Sequence, residues 1–315
     1  MKKIFAITSN LAEDSISIVD CENNYKVDKL IFRKLKTNNI SSKYDYPIGP
    51  YKLILHPISN LIYSVNCYNN TIYLIDYKNR ILLNKFCVGS FPNGMVVDWI
   101  KNLAYITNCD SNNISIIDIN TGELLLQLYS GLMPMGIIFK ENCEELYIAS
   151  VQEKKVSIIN CKKTIIIHWI KVNYSPLDIL LSNDEKYLFI CTACMEINKN
   201  GYISKIDIES NKVVKKIEVG IIPHKMLLSE DGNTLYVTNF GSDYVSIINA
   251  DNFIDYETIK CSRMPKGIVI DKEKKHLYVT SLRDNVVDII NINDRRIEHK
   301  ISVGKEPSDI ILINK

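Results

Sequence analysis

No stretch of this 315-residue chain approaches the roughly 18 consecutive apolar residues that a membrane-crossing helix needs, so no membrane span is expected. A dominant charge is missing as well. The 38 basic side chains are balanced by 36 acidic ones, and the formal +2 excludes the global cationic field of a nonspecific nucleic-acid binder. Met1-Lys2-Lys3 imitates the start of a secretory signal, but the apolar stretch behind it, Ile4 to Thr8, breaks at Ser9, Asn10, Glu13 and Asp14, and no export signal is expected. No Gly-rich phosphate loop, Ser-His-Asp set or paired-carboxylate pattern stands out. The nine cysteines are an odd number spread along the chain, the pattern of reduced thiols rather than of a disulfide framework. A cytoplasmic monomer is therefore expected. With 46% hydrophobic and 23% charged residues, the chain can bury a sizeable core and is not disordered.

A repeat organises what is present. Seven of the nine prolines, Pro50, Pro92, Pro134, Pro176, Pro223, Pro265 and Pro307, are separated by 42, 42, 42, 47, 42 and 42 residues. Thirteen residues after each of the first six stands an aromatic: Tyr63, Tyr105, Tyr147, Phe189, Tyr236 and Tyr278. A third landmark closes a β-branched run: Asp20, Asp76, Asp118, Asn160, Asp207, Asn249 and Asn291. Within the copy that begins at Pro223, four strand-like runs are expected, at Lys225 to Leu228, Thr234 to Thr238, Tyr244 to Ile248 and Ile254 to Ile259, with polar turns between them. A four-stranded antiparallel unit of roughly 40 to 45 residues repeated in tandem predicts a β-propeller, here of seven blades. The N-terminal residues read as a second strand and those after Pro307 as a first strand. The C-terminal strand is therefore expected to complete the N-terminal blade and close the ring, leaving residues 1–315 as one domain.

The segment Leu235-Tyr236-Val237-Thr238-Asn239 carries the motif after which the YVTN-repeat propellers are named, and Tyr278-Val279-Thr280-Ser281 and Tyr105-Ile106-Thr107-Asn108 are near copies. Over essentially its whole length the chain resembles the YncE-like members of that family. The resemblance implies the propeller fold. It does not imply one chemistry, because the group includes ligand-binding, nucleic-acid-associated, surface-layer and lactonase-like proteins and electron-transfer partners. The tyrosine of the motif is expected to pack between blades.

Up-and-down blade geometry places the residues just after the prolines, Tyr51, Asn93, Met135, Leu177, His224, Lys266 and Ser308, around the mouth of the central channel. Of the five histidines only His224 falls there; His56 and His276 belong to the opposite face, and His168 and His299 to outer strands. The candidate ligand-binding set is Tyr51, Asn93, His224, Lys225, Phe240 and Lys266, with the cations attracting an anionic group and the rings offering apolar surface. Many asparagines nearby are also what tight turns demand. Cys67 and Cys109 occupy equivalent places in neighbouring blades, and Cys191 and Cys194 form a C-x-x-C, but no second close ligand pair accompanies them. No metal and no cofactor are expected.

Two insertions interrupt the period. The first, within residues 26–43, gathers Lys26, Lys29, Arg33, Lys34, Lys36 and Lys43 ahead of Tyr44 and Tyr46, and is expected on the channel-mouth face as a solvated loop or a contact for an acidic partner or nucleic-acid backbone. The second, Met195 to Asn200, enlarges a loop on the same face. Three functions follow. The first is a noncatalytic propeller presenting its mouth to a partner protein or a polar or anionic small molecule. The alternative is a lactonase-like or other hydrolytic enzyme, for which Asp178 and Asp309 are the nearby carboxylates. The third is a nucleic-acid-associated protein using the basic insertion. No catalytic residue is assigned.

Overall fold

The computed structural model describes residues 3–37, 47–57, 59–254, 256–271, 273 and 275–314. These residues form seven antiparallel four-stranded sheets arranged as a propeller, the second of them extended by a fifth strand. In the copy from Pro223 the strands are Pro223–Leu228, Thr234–Asn239, Tyr244–Asn249 and Tyr256–Lys260, close to the runs expected from alternation. The ring closes as expected. Strand Pro307–Asn314 pairs antiparallel with Ile4–Asn10, so the first blade takes its inner strand from the far end of the chain.

The aromatics thirteen residues after the prolines are core residues: Tyr63, Tyr105, Tyr147, Phe189, Tyr236 and Tyr278 are all 5% exposed or less. Each belongs to a cluster that also holds residues of the next blade, as Tyr63 does with Met95 and Ala104, and Tyr278 with Ile4, Ala6 and Ile310. Burying such a side chain contributes about 1.5–3 kcal/mol. The asparagine that ends the motif is also engaged in the fold. Asn239 Nδ2 donates to Ser246 Oγ at 2.9 Å within its own blade, and its Oδ1 accepts the N–H of Gly220 at 3.0 Å, on the outer strand Lys212–Ile221 of the preceding blade, tying two blades together.

The prolines explain how the inner strands are aimed. Proline has no N–H to give a ladder, so it is tolerated at the first residue of a strand or at a bulge. Here it stands at the first residue of six inner strands and at the second of Ser175–Leu181, and every inner strand shifts register just after its proline, as between Pro223 and Lys225 or Pro265 and Ile268. A bulge leaves a residue unpaired and re-aims its side chain. The residue ahead of the proline is turned too: Phe91, Met133, Ile222, Met264 and Glu306 all sit at φ between +50° and +59°, a conformation costing about 1–2 kcal/mol for a residue with a Cβ. Side-chain acceptors hold four of these turns. The N–H groups of Phe91, Met133, Met264 and Glu306 donate to Asn70, Asn112, Asp243 and Asn285 at 2.8–3.0 Å, each acceptor 21 residues earlier, in the loop between the second and third strands of the preceding blade.

The first insertion departs from expectation. Its described part is not a loop at the channel mouth: Lys26–Ile31 is the outer strand of the first blade, and Lys36–Thr37 pairs in parallel with the start of outer strand Ile81–Cys87, extending the outer edge of the second. Two of its cations are ion-paired, Lys29 with Glu13 at 2.9 Å and Arg33 with Asp14 at 3.2 Å. Lys43, Tyr44 and Tyr46 lie outside the described residues. The second insertion does enlarge the loop between strands Tyr187–Ala193 and Asn200–Asp207, exposing Met195 and Ile197.

Two outcomes test this account. Deleting residues 308–315 removes a strand that buries Ile310 and Ile313 and bares an edge of the first blade, so cooperative thermal unfolding is expected to be lost. A truncated protein melting at the full-length temperature would refute the closure. Separately, Asn112→Gly keeps the backbone freedom that φ +58° needs but loses the bond to Met133, and is expected to cost about 1 kcal/mol in urea unfolding. Asn112→Ala adds the left-handed penalty and should cost about 1 kcal/mol more.

Candidate functional site

The seven residues that follow the prolines meet, as the repeat implies, around one cavity. Tyr51, Asn93, Met135, Leu177, His224, Lys266 and Ser308 all line it, together with residues one step further along the same strands: Lys52, Gly94, Gly136, Asp178, Lys225, Gly267 and Asp309. The cavity holds about 70 Å³ of water-sized space. At ~10–15 Å³ per water this admits about five waters, or one small molecule. The glycines let inner strands approach. A Cβ on Gly136 would stand 2.8 Å from Asp178 Cα, and one on Gly267 3.0 Å from Asp309 Cα.

The deeper layer carries opposite charges that cancel between neighbouring blades. Lys225 Nζ contacts Asp178 Oδ1 at 2.8 Å, and Asp178 Oδ2 accepts the Met226 N–H at 3.0 Å. Lys52 Nζ lies 3.8 Å from Asp309 Oδ2, which accepts the Leu53 N–H at 2.9 Å. Both carboxylates therefore bind an ammonium and a backbone N–H of the adjacent inner strand. They lock the ring's inner wall, and neither stands free as a general base.

The upper layer is different. Lys266 is 6% exposed, and among the described residues no carboxylate lies within ion-pair distance of its ammonium. Its Nζ sits 3.9 Å from the centre of the Tyr51 ring. Burial pushes its pKa from 10.5 down to about 8, against the partial pull of Cys67, Asp309 and Glu306. A shift of that size corresponds to about 3 kcal/mol against the charged form, while a cation–π contact returns about 0.5–2 kcal/mol. The cation is thus incompletely compensated. Beside it, burial and the charges of Lys266, Lys225 and Lys52 hold His224 well below its ordinary 6.5, so the ring is neutral at pH 7. His224 Nδ1 and the hydroxyl of Ser308, a residue 3% exposed, are both buried with no hydrogen-bond partner among the described residues.

Five of the six residues expected to bind ligand line the cavity, and Phe240 does not. Its ring packs tilted against that of His224, with centroids 5.9 Å apart, so it contacts the histidine without lining the cavity. Asn93 is on the wall but its amide is engaged: Nδ2 donates to the Pro134 carbonyl at 3.2 Å, and Oδ1 accepts the Thr107 hydroxyl at 2.7 Å. Ser308 was placed on the ring by its spacing, yet its orphaned hydroxyl shows only in three dimensions. The thiols pack behind this site and do not line the cavity. Cys67, Cys109 and Cys191 are buried, Cys194 is half-buried, and all are free. Burial pushes Cys67 up to about 12 and Cys109 to about 11, far from thiolate chemistry at neutral pH. Among the described residues no group of three or more His, Cys, Asp or Glu is placed to hold a metal ion.

No family model and no curated protein matches this sequence. Solved structures do. The chain is similar to the hydrazine synthase of Kuenenia stuttgartiensis, with 17% identity and a TM-score of 0.76 over 88% of this chain and 98% of that one. It is similar to a candidate 6-phosphogluconolactonase of Bacteroides fragilis, with 16% identity and a TM-score of 0.74 over 99% and 98% of the two chains. A Lactobacillus plantarum protein matches at 15% identity and a TM-score of 0.75, over 99% and 100%. At these identities the likeness establishes the seven-bladed propeller and nothing of its chemistry.

The state of Lys266 has a sign that can be measured. Below pH 8 the folded protein holds a buried ammonium at a cost. Between pH 8 and 10.5 the native state sheds a proton that the unfolded chain keeps, so stability rises through that window. Relative to Lys266→Met, the wild type is expected to gain up to about 3 kcal/mol from pH 8 to 10.5, read as the difference between two urea-unfolding series. A difference flat across that range would show that the ammonium is solvated.

Proposed function

We propose that the protein is a noncatalytic binding propeller whose channel mouth takes a small polar molecule, and that it is a YncE-like member of the YVTN-repeat group. The observation that carries the binding reading is one cavity in which the Ser308 hydroxyl and His224 Nδ1 are buried without a partner among the described residues, beside a Lys266 ammonium that no described carboxylate pairs. Buried polar groups in folded proteins are normally paired, and orphans gathered in a cavity are what a ligand would satisfy. The letter-for-letter motif at residues 235–239 supports the family reading. The free state of all nine cysteines supports a reducing, cytoplasmic setting.

A hydrolytic reading is weaker on the same geometry. General acid–base hydrolysis needs a poised base and a group that orients it. Here both wall carboxylates are occupied, and His224 has no carboxylate partner among the described residues. The nucleic-acid reading loses support with Lys29 and Arg33 paired to acidic neighbours on the blade edge.

A thermal-shift panel of sugars, lactones, small carboxylates, phosphate and oligonucleotides, run beside hydrolysis assays on the lactones, tests the proposal. A small polar compound is expected to raise the midpoint, and to do so in a Glu230→Ala control on the opposite face but not in Lys266→Met. Turnover of a lactone, lost in His224→Ala, would overturn the noncatalytic reading.

A further inference from the structure

The ring order gives the cavity two unlike halves. Lys266 opens the inner strand of the seventh blade and Ser308 that of the first, while Met135 and Leu177 open those of the fourth and fifth. In a seven-membered ring the blades opposite the seventh are the third and fourth, and those opposite the first are the fourth and fifth. The cation and the orphaned hydroxyl therefore face Met135 and Leu177 across the channel, with Ile137 behind them on the same wall. Resting on the binding reading above, we propose that the channel mouth is a site for a short-chain aliphatic monocarboxylate, its carboxylate against Lys266 and Ser308 and its chain against Met135 and Leu177.

Charge, size and desolvation each narrow the class. Lys52, Lys225 and Lys266 stand against Asp178 and Asp309, and His224 is neutral, so three positive charges less two negative ones leave +1 on the wall. A monoanion cancels that charge. A phosphate dianion would leave a buried negative charge in its place, and burying an unpaired charge is costly. A neutral ligand would leave the Lys266 ammonium as it is. The space of about 70 Å³ admits a carboxylate and a few carbons without moving the wall. The apolar side chains opposite reward each added methylene until that space is filled. The rigid inner wall holds this arrangement ready, because each Asp on it is tied across two blades.

The test is isothermal titration of the full-length protein with sodium acetate, propionate and butyrate at constant ionic strength, with butyramide and inorganic phosphate as controls. Affinity is expected to rise about fourfold per added methylene, the equivalent of about 0.8 kcal/mol each, while butyramide and phosphate give no heat. Lys266→Met should weaken butyrate at least tenfold and Ser308→Ala several-fold, and Met135→Gln should flatten the chain-length series. Folding of each variant is confirmed by its melting curve, and Lys266→Met is expected to melt above wild type. Butyrate affinity should hold steady up to pH 8 and fall about tenfold per unit above it, as Lys266 loses its proton. The charged and titratable groups facing that ammonium are Tyr51 and Lys52, Cys67, His224 and Lys225, Asp178, and Asp309 with Glu306. Phosphate binding that depends on Lys266, with butyrate inert, would overturn the monocarboxylate class while leaving the mouth as the binding site. Butyrate binding unchanged in Lys266→Met would overturn this inference. A panel ligand lost only in Glu230→Ala would overturn the mouth reading itself.

Discussion

A proline that cannot donate a hydrogen bond stands first in six of the inner strands and second in Ser175–Leu181, and the geometry of the site follows from that missing N–H. The ladder with the second strand cannot run straight through the proline, so it shifts register at the next residue or two in all seven blades. Seven shifts at one height turn seven side chains toward the axis. The left-handed residue ahead of the proline makes the entry steep enough, and an Asn or Asp from the loop between the second and third strands holds it in four blades. One polar side chain on the face therefore steers the residue that reaches the channel. The same device tolerates any side chain after the proline, since a bulged residue is not asked to pair.

Two layers with different duties result. In the deeper layer Lys225 with Asp178 and Lys52 with Asp309 join blades that are neighbours in space, and each Asp accepts an N–H of the neighbouring inner strand, an edge strand of its sheet. Replacing one partner would leave a buried charge alone, which is why such pairs act as fasteners and not as reagents. Among the described residues lining the cavity, the buried polar atoms without a partner, His224 Nδ1 and Ser308 Oγ, belong to the upper layer. The division between wall and site is thus a division between satisfied and unsatisfied groups, drawn one residue apart along the same strands.

Much of this could be read from the order of residues, and the parts that could not share a cause. Blade number, ring closure and the seven rim positions depend on contacts at a fixed spacing, and a period survives in one dimension. The core role of Tyr63 and its equivalents followed for the same reason. The pairing of Lys52 with Asp309 joins residues at opposite ends of the chain and exists only once the ring is shut. The two-residue strand Lys36–Thr37 has no alternation to betray it, and it adds in parallel to an outer edge whose own residues show no vacancy in sequence. Phe240 packs against His224 and is not part of the lining, because a spacing gives the face of a loop residue but not the neighbour its ring packs on. Ser308 had its position but not its significance, since a serine becomes an orphan only when every nearby acceptor is already engaged.

Lys266 brings these strands of argument together. A methionine of similar length would fill the same space and keep the contact with Tyr51, without the desolvation cost that burial imposes on the ammonium. The deeper pairs cannot rescue the ammonium, because the carboxylate of the adjacent first blade, Asp309, is already shared between Lys52 and the Leu53 N–H. Nor does the fold need it as a fastener: among the described residues no hydrogen bond crosses between blades from its side chain. A charge that weakens the fold and braces nothing is explained by what it can meet in the cavity. An anion there would restore the ammonium's lost solvation with a single contact, while the walls that position it are held by bonds that the ligand never touches.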